Sequence, residues 1–274
     1  MKINTDTFLK MGDSHRECED YIIRGMDPVP YIILADGCSS SNRTEMGARI
    51  LCHLAKQYLI YRTEDIFSDS IDYKKMGSWI IHNAEMTIRQ LGLPLACLDS
   101  TLIISYYIDN FLHVFMYGDG EIIMKDSEGN LSIHTVEFTN NSPYYLSYKI
   151  DPFRDDLYYQ NKNSMNITTN KIYPERNYED SRELAYDAVV KFSMNVAYWK
   201  TLFICSDGIR SFMVKDPRIK HMVDPVEFID DMMNFKNFKG EFLKRRLKRA
   251  IKNIEDNGIV HSDDLSIGAY LRMD

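Results

Sequence analysis

Apolar segments that end at an aspartate recur along this chain, and they restrict its fold more than any other feature of the sequence. They span residues 31–37 (YIILADG), 115–120 (FMYGDG) and 202–208 (LFICSDG). The acidic pairs Glu19-Asp20 and Asp263-Asp264 come directly before segments of the same kind. Short apolar runs bounded by glycine and aspartate are typical of buried strands. If such strands lie side by side in one sheet, we expect their carboxylates to meet at one edge of it.

Carboxylates gathered in this way need a counter-charge, because like charges a few ångströms apart raise one another's pKa sharply. Mg²⁺ and Mn²⁺ prefer oxygen ligands and supply that charge. The glycine after Asp36 fits this interpretation, since a residue without Cβ lets the backbone turn closely and direct its carbonyl at an ion. The sequence therefore predicts a metal centre built from carboxylates. For any single Asp-Gly pair, a turn after a strand is an equally good explanation.

The acidic motifs, taken in order, also carry a family resemblance. They read Glu19-Asp20, Asp36-Gly37, Asp99-Ser100-Thr101, Gly118-Asp119-Gly120, Ser206-Asp207-Gly208 and Asp263-Asp264. This order resembles the metal-dependent serine/threonine protein phosphatases of type 2C, whose motifs are ED, DGH, GST, GDS, SDG and DN. The opening Gly12-Asp-Ser-His15, followed by Asp20, is more similar to the bacterial and phage-type branch.

The resemblance implies an α+β fold, a four-layer α-β-β-α sandwich in which two antiparallel sheets are flanked by helices. The residue patterns agree with it. Helical spacing over 45–61 and 73–91 predicts two helices, and alternation over 101–107, 111–117, 120–125 and 131–136 predicts strands. Asp109-Asn110 and residues 126–130 predict hairpin turns. We expect one phosphatase-like domain over 1–274, with a weakly patterned flap or insertion at about 138–185.

The resemblance further implies roles for the acidic residues. Asp36, Asp207 and Asp263 would be the catalytic set, with Asp36 bridging two Mn²⁺ or Mg²⁺ ions. The expected metal ligands are Asp20, Asp36, the carbonyl of Gly37, Asp207 and Asp263, with Glu19 acting through water. A water shared by the two ions would attack phosphorus, without a phosphoenzyme. Asp119 matches a position that holds a third ion in bacterial relatives, although Gly118-Asp119-Gly120 is also typical of a hairpin turn.

Four positions depart from the family pattern. Where many relatives have an arginine that binds the phosphate, this chain has His15 followed by Arg16, and either could serve; an arginine offers two parallel hydrogen bonds. Asp264 replaces the asparagine of DN, so its charge either tightens metal binding or is solvated. Asp99 replaces the glycine of GST and is expected in a turn. Cys38 stands where eukaryotic members have a histidine that protonates the departing oxygen, and a thiol is a poorer acid.

His113, His134 and His221 are expected to have structural roles. They lie in strands or connecting segments, and no possible catalytic or metal-binding partner stands at a suitable spacing from them. His261 is two residues from Asp263 and is a candidate hydrogen-bonding neighbour of that metal ligand.

Composition and charge exclude several classes of protein. A formal net charge of −7 gives no general attraction to nucleic acid or anionic membranes, and no apolar stretch reaches the roughly 18 residues of a membrane span. Five cysteines without CxxC spacing suggest neither a disulfide framework nor a zinc ribbon, so a cytoplasmic protein is predicted. Residues 239–252 combine an apolar stripe with seven Lys or Arg, which predicts a helix with a solvated basic face or a docking surface for an acidic partner.

The leading function is hydrolysis of phosphoserine or phosphothreonine in proteins, in opposition to a serine/threonine kinase. The alternatives are a phosphatase of small phosphorylated molecules, a regulatory binding protein that keeps the fold without turnover, and a two-metal nuclease. A nuclease would need a basic track along nucleic acid, for which only 239–252 is available. Loss of Asp36, Asp207 or Asp263 would have favoured the binding protein, but all are present.

Overall fold

The computed structural model of the protein describes residues 2–173, 175–215 and 221–273. The strands in these ranges are β1 (Lys2–Lys10), β2 (Tyr21–Gly25), β3 (Tyr31–Ala35), β4 (Leu102–Ile108), β5 (Phe111–Tyr117), β6 (Gly120–Lys125), β7 (Leu131–Phe138), β8 (Ser164–Ile172), β9 (Asn177–Ala185), β10 (Lys191–Asn195), β11 (Thr201–Cys205), β12 (Phe212–Val214), β13 (Ile259–His261) and β14 (Leu265–Met273). The α-helices are α1 (Thr44–Tyr61), α2 (Thr63–Phe67), α3 (Tyr73–Leu91), α4 (Pro152–Gln160), α5 (Val226–Met233) and α6 (Phe242–Asp256). Short 3₁₀ helices lie at Leu95–Leu98, Thr139–Asn141, Leu146–Ile150, Val196–Tyr198 and Asp207–Arg210.

The strands form two large antiparallel sheets. One has seven strands in the order β1-β14-β11-β6-β7-β8-β9, and the other has five in the order β10-β5-β4-β3-β2. Strands β12 and β13 form a separate pair. The predicted strands and both predicted hairpins are confirmed: Asp109 and Asn110 have φ of 47° and 66° between β4 and β5, as a two-residue hairpin turn requires.

Buried apolar side chains separate four layers. Along β3, Ile33 faces helices α1 and α3, whereas Ile32 and Leu34 face the other sheet, because successive side chains of a strand point to opposite faces. On the outer face of the seven-stranded sheet, Leu265 and Ile267 pack with α5 and α6. The layers are therefore helix, sheet, sheet and helix, which confirms the four-layer sandwich.

Helix α3 shows how local sequence sets the ends of an element. The side chain of Asp72 accepts a hydrogen bond from the backbone N–H of Lys75 at 2.9 Å, which caps the first turn. Gly92 ends the helix in the left-handed conformation, with φ of 67°. Helix α6 begins at Phe242, three residues after the predicted start at 239, since Gly240 has φ of 60°. No helix in the described ranges is long and apolar enough to cross a membrane.

The weakly patterned stretch at 138–185 is mostly ordered structure. It contains α4 and strands β8 and β9, which pair with each other and extend the seven-stranded sheet beyond β7. Its residues between Ser142 and Gln160 fold back toward the start of β4, where Asp99 lies.

Candidate metal centre

Asp20 and Asp36 lie at one end of the five-stranded sheet. Tyr21, the first residue of β2, pairs with Ala35, the last residue of β3, so the residues beyond them are neighbours. Asp20 is 3% exposed, and its Oδ2 accepts a hydrogen bond from the Oγ of Ser206 at 3.0 Å. This bond joins the five-stranded sheet to the loop after β11 in the other sheet.

Asp119, Asp207 and Asp263 belong to the seven-stranded sheet. Asp207 follows β11 and Asp263 precedes β14, and the pairing of Cys205 with Ile267 brings these strand ends together. Asp119 lies where the chain leaves β5 in one sheet and enters β6 in the other, so the hairpin alternative at this position is wrong. The carboxylates thus come from both sheets, not from one as expected, and they meet because the two sheets pack face to face.

Asp36 is the central carboxylate of this group. Its side chain lies close enough to those of Asp20 and Asp207 for the three to interact. Burial, followed by the charges of Asp20, Asp207, Asp119 and Asp263, raises the pKa of Asp36. Four other aspartates act on Asp36, which marks it as the centre of the group.

Four further carboxyl groups of the centre also hold their protons more tightly than usual. Burial and the charge of Asp207 raise the pKa of Asp119 to about 8. Burial raises the pKa of Asp20, and burial together with the charge of Asp263 raises that of Asp207. Burial raises the pKa of Glu19 as well. Full ionisation of this group requires a positive charge among its members.

The donor set fits an oxygen-liganded divalent cation. The buried Oδ1 of Asp20 has no hydrogen-bond partner, which is unusual for a buried carboxylate oxygen and leaves it available to a cation. Within the described ranges, no three Asp, Glu, His or Cys side chains already surround a single point as metal ligands do. The carboxylates are therefore close enough to repel one another, but their side chains would have to turn to enclose an ion.

The Asp36-Gly37 backbone is fixed by the Ser100-Thr101 motif. The carbonyl of Asp36 accepts hydrogen bonds from the Oγ of Ser100 at 2.7 Å and the backbone N–H of Thr101 at 2.8 Å. Gly37 has no room for a side chain, because a Cβ would lie 2.8 Å from the Cβ of Thr44. The close approach of these segments explains the glycine and holds its carbonyl in a defined position.

Asp264 is buried, so the solvated alternative considered from the sequence is wrong, and a contribution to metal binding stays a prediction. It is 2% exposed, and its carboxylate accepts hydrogen bonds from the backbone N–H groups of Gly12 at 2.8 Å and Glu19 at 2.6 Å. It therefore ties the loop between β1 and β2 to the start of β14. These bonds join the segment that carries Asp20 to the segment that carries Asp263.

His15 faces carboxylates of the centre. Its Nε2 lies 3.2 Å from Oδ1 of Asp263, and its Nδ1 lies 3.3 Å from Oδ2 of Asp264 and 3.8 Å from Oε2 of Glu19. Arg16 is exposed beside it. Both residues line a cavity of about 400 Å³, with Ser14, Glu17, Glu19 and Ser39. Of the two predicted phosphate-binding residues, Arg16 has the freer side chain.

Comparison with known proteins identifies the family. The sequence model of the family described as protein phosphatase 2C matches residues 11–252. The chain belongs to the protein phosphatase 2C family.

Solved structures of the phosphatase fold agree with this membership. The serine/threonine phosphatase Stp1 from Staphylococcus aureus superposes with a TM-score of 0.55 at 14% identity, over 100% of this chain and 96% of that one. PppA, a regulatory component of the T6SS in Pseudomonas aeruginosa, gives 0.55 at 9% identity, over 100% and 99%. The serine/threonine phosphatase PstP/Ppp from Mycobacterium tuberculosis gives 0.50 at 12%, over 99% of both chains. A search of curated proteins by sequence finds no match.

Asp99 is a functional candidate that the sequence assigned to a turn. It is 4% exposed, and its carboxylate accepts hydrogen bonds from Ser41 at 2.8 Å, Ser147 at 2.6 Å and Arg154 at 2.8 Å. Its carbonyl accepts a hydrogen bond from the backbone N–H of Cys38 at 2.9 Å. Asp99 thus connects the loop after Asp36 to the segment before α4. The signal for this role in the sequence was that Asp99 stands where the family motif has a glycine, since a carboxylate at such a position needs hydrogen-bond donors.

Of the four histidines His113, His134, His221 and His261, three contact polar groups of neighbouring residues and the fourth is exposed. His261 is fully buried, and its Nδ1 lies 3.0 Å from the carbonyl of Asp263, whose loop it supports. His113 hydrogen-bonds with Ser193, and His134 with Thr169, both remote from the carboxylates along their strands. His221 is exposed.

Helix α6 carries the basic face noted in the sequence. Its apolar stripe packs on the seven-stranded sheet. Some of its cations have acidic neighbours: Lys244 lies 2.8 Å from Glu241, Lys252 lies 2.8 Å from Asp256, and Arg246 pairs with Asp231. An acidic partner at this helix stays a prediction.

Proposed function

We propose that this protein hydrolyses phosphoserine and phosphothreonine in proteins with the help of two divalent cations, Mn²⁺ or Mg²⁺. The observation that carries the proposal is the position of Asp36, which lies among the carboxylates of Asp20, Asp207, Asp119 and Asp263 in a member of the protein phosphatase 2C family. Carboxylates from two sheets that lie this close together need a positive charge among them, which divalent cations would supply.

Each acidic residue then has a role in holding the cations. Asp36 would lie between the two, the carbonyl of Gly37 would bind one of them, and Asp207 and Asp263 the other. Asp20 and Glu19 would act mainly through water, and Asp119 would serve a third, weaker ion. When bound, the two cations lower the pKa of a water molecule toward neutrality and offset the negative charge of the phosphoryl oxygens.

The chain's own residues bind and orient the substrate. The cavity lined by His15, Arg16 and Glu19 opens at the surface, since Arg16 and its neighbours Ser14 and Glu17 are exposed. An open site suits a phosphorylated side chain presented by a protein better than an enclosed small molecule. The guanidinium of Arg16 would bind the phosphoryl oxygens, and the imidazole of His15 would hold the carboxylate of Asp263 in place.

Phosphate release from a panel of phosphoserine and phosphothreonine peptides tests the proposal. Activity should require millimolar Mn²⁺ or Mg²⁺ and disappear with a chelator. Asp36→Asn should lower turnover by at least about 10³-fold, because a neutral amide holds two cations poorly. Asp109→Asn makes the same change in the exposed turn at the opposite end of the five-stranded sheet and should leave turnover unchanged.

Calorimetric titration with Mn²⁺ separates the alternatives. Cation binding without turnover of any phosphopeptide would favour the regulatory binding protein. Turnover of small phosphate esters alone would favour the small-molecule phosphatase. Full activity of Asp36→Asn, or of the metal-free protein, would refute the assignment.

A further inference from the structure

The departing oxygen of a serine phosphate needs a hydrogen-bond donor, and the thiol at Cys38 is a weak one. The structure brings a better donor to this position. Tyr145, from the segment before α4, is 7% exposed. Its hydroxyl lies near the Cys38 thiol and the carboxylates of Asp36 and Asp119.

Hydrogen bonds through Asp99 hold the two segments together. Ser147 and Arg154, which flank the turn after Tyr145, donate to the carboxylate of Asp99 at 2.6 and 2.8 Å. The carbonyl of the same residue accepts the backbone N–H of Cys38 at 2.9 Å. One buried residue therefore sets the distance between the Cys38 loop and the turn that presents Tyr145.

Aromatic contacts fix the ring of Tyr145. It packs edge to face on Tyr148, with ring centroids 5.6 Å apart and planes at 75°. The guanidinium of Arg154 lies 4.9 Å from the centre of the Tyr148 ring, in a cation–π contact. Arg154 also forms an ion pair with Asp151 at 2.9 Å. Packing on Tyr148 therefore holds the ring of Tyr145 in place.

We propose that Tyr145 donates a hydrogen bond to the leaving-group oxygen of the substrate, and that the Asp99–Arg154 pair positions it. This inference rests on the proposed phosphatase function. As water attacks phosphorus, the bond from phosphorus to the serine oxygen breaks and its electron pair stays on that oxygen. Tyr145 stabilises this developing charge and keeps its own proton, as a phenol does at neutral pH. The proton that completes the serine hydroxyl is the one lost by the attacking water.

The test compares a poor leaving group with a good one. Tyr145→Phe should lower kcat/KM for a phosphoserine peptide by about 10- to 100-fold, because a donor to developing charge is lost. The value for p-nitrophenyl phosphate should change by less than about threefold, since a nitrophenolate leaves without help. Across a series of aryl phosphates, log kcat/KM should fall more steeply with leaving-group pKa than in the unaltered protein.

Matched variants separate this role from a structural one. The Tyr144 hydroxyl bonds to Asp155 at 2.5 Å, so Tyr144→Phe removes a hydroxyl from the same tyrosine cluster and should leave both rates unchanged. Arg154→Met should reproduce the substrate-dependent loss, and adding Tyr145→Phe to it should cause little further loss. Equal losses for both substrates, or none, in Tyr145→Phe would overturn the inference while leaving the phosphatase assignment intact. An unaltered protein inactive on every phosphate ester would overturn both.

Discussion

Replacement of Asp119 by asparagine should stabilise the metal-free protein, and the gain should grow with pH. Asp119 is 6% exposed, and burial and the charge of Asp207 raise its pKa from an ordinary 3.8 to about 8. Between these pH values the folded chain binds more protons than the unfolded chain. The stability of the unaltered protein therefore falls as the pH rises from about 4 to about 8, and levels off above that. Asparagine has no proton to lose and removes this dependence.

The magnitude follows from the size of the shift. Each pKa unit corresponds to about 1.36 kcal/mol, and pH 7 lies about three units above the ordinary pKa of an aspartate, which sets an upper bound of about 4 kcal/mol. The attraction of Arg210 for the Asp119 carboxylate is lost as well, so we expect a gain of about 2–4 kcal/mol at pH 7 and less than about 1 kcal/mol at pH 4.5. For a chain of 274 residues, this corresponds to a rise in Tm of about 4–7 °C.

Thermal unfolding in chelator from pH 4.5 to 8.5, followed by circular dichroism, measures the effect. Asp109→Asn, in an exposed turn, is the control and should follow the unaltered protein at each pH. Addition of Mn²⁺ should raise the Tm of the unaltered protein and reduce the advantage of Asp119→Asn, because cation binding stabilises the carboxylates. A Tm of Asp119→Asn at pH 7.5 below that of the unaltered protein, or an identical pH dependence, would refute the reasoning.

Three further predictions concern packing and thiol reactivity. Gly208→Ala should destabilise the protein by about 3 kcal/mol or more in urea unfolding, because a Cβ would lie 1.8 Å from the carbonyl oxygen of Asp264; an unchanged midpoint would contradict this close approach. Arg154→Met should lower the free energy of unfolding by about 2–4 kcal/mol, because it leaves the buried carboxylate of Asp99 with hydroxyl donors alone. Arg89→Met breaks an exposed pair with Glu85 and should lower the free energy of unfolding by less than about 0.5 kcal/mol. Equal losses for the two variants would count against the buried pair. Iodoacetamide at pH 8 should label Cys38 first, because burial raises the pKa of Cys18 to about 12 and Cys205 is fully buried. Labelling of Cys205 before Cys38 in the native protein, detected by mass spectrometry, would contradict this order.

The local features of this protein could be predicted from sequence because they depend on neighbours along the chain. Apolar residues at helical spacing between Asp72 and Gly92 predict α3, and alternation around Asp109-Asn110 predicts the β4–β5 hairpin. The acidic motifs could be recognised for the same reason, since each stands directly beside a strand. Their order along the chain was sufficient to suggest the family, which the match over residues 11–252 confirms.

The sequence alone did not determine how the sheets divide the acidic motifs or which distant residues support them. The chain changes sheets at Asp119, between two strands that would otherwise suggest a hairpin. Asp264 bonds to the backbone of Gly12, 252 residues away, and Asp99 to Arg154, 55 residues away. Such pairs leave no periodic pattern, because a buried carboxylate needs only some donor nearby in space, and the packing of four layers decides which one. For the same reason, only the tertiary structure could place Tyr145 beside Cys38.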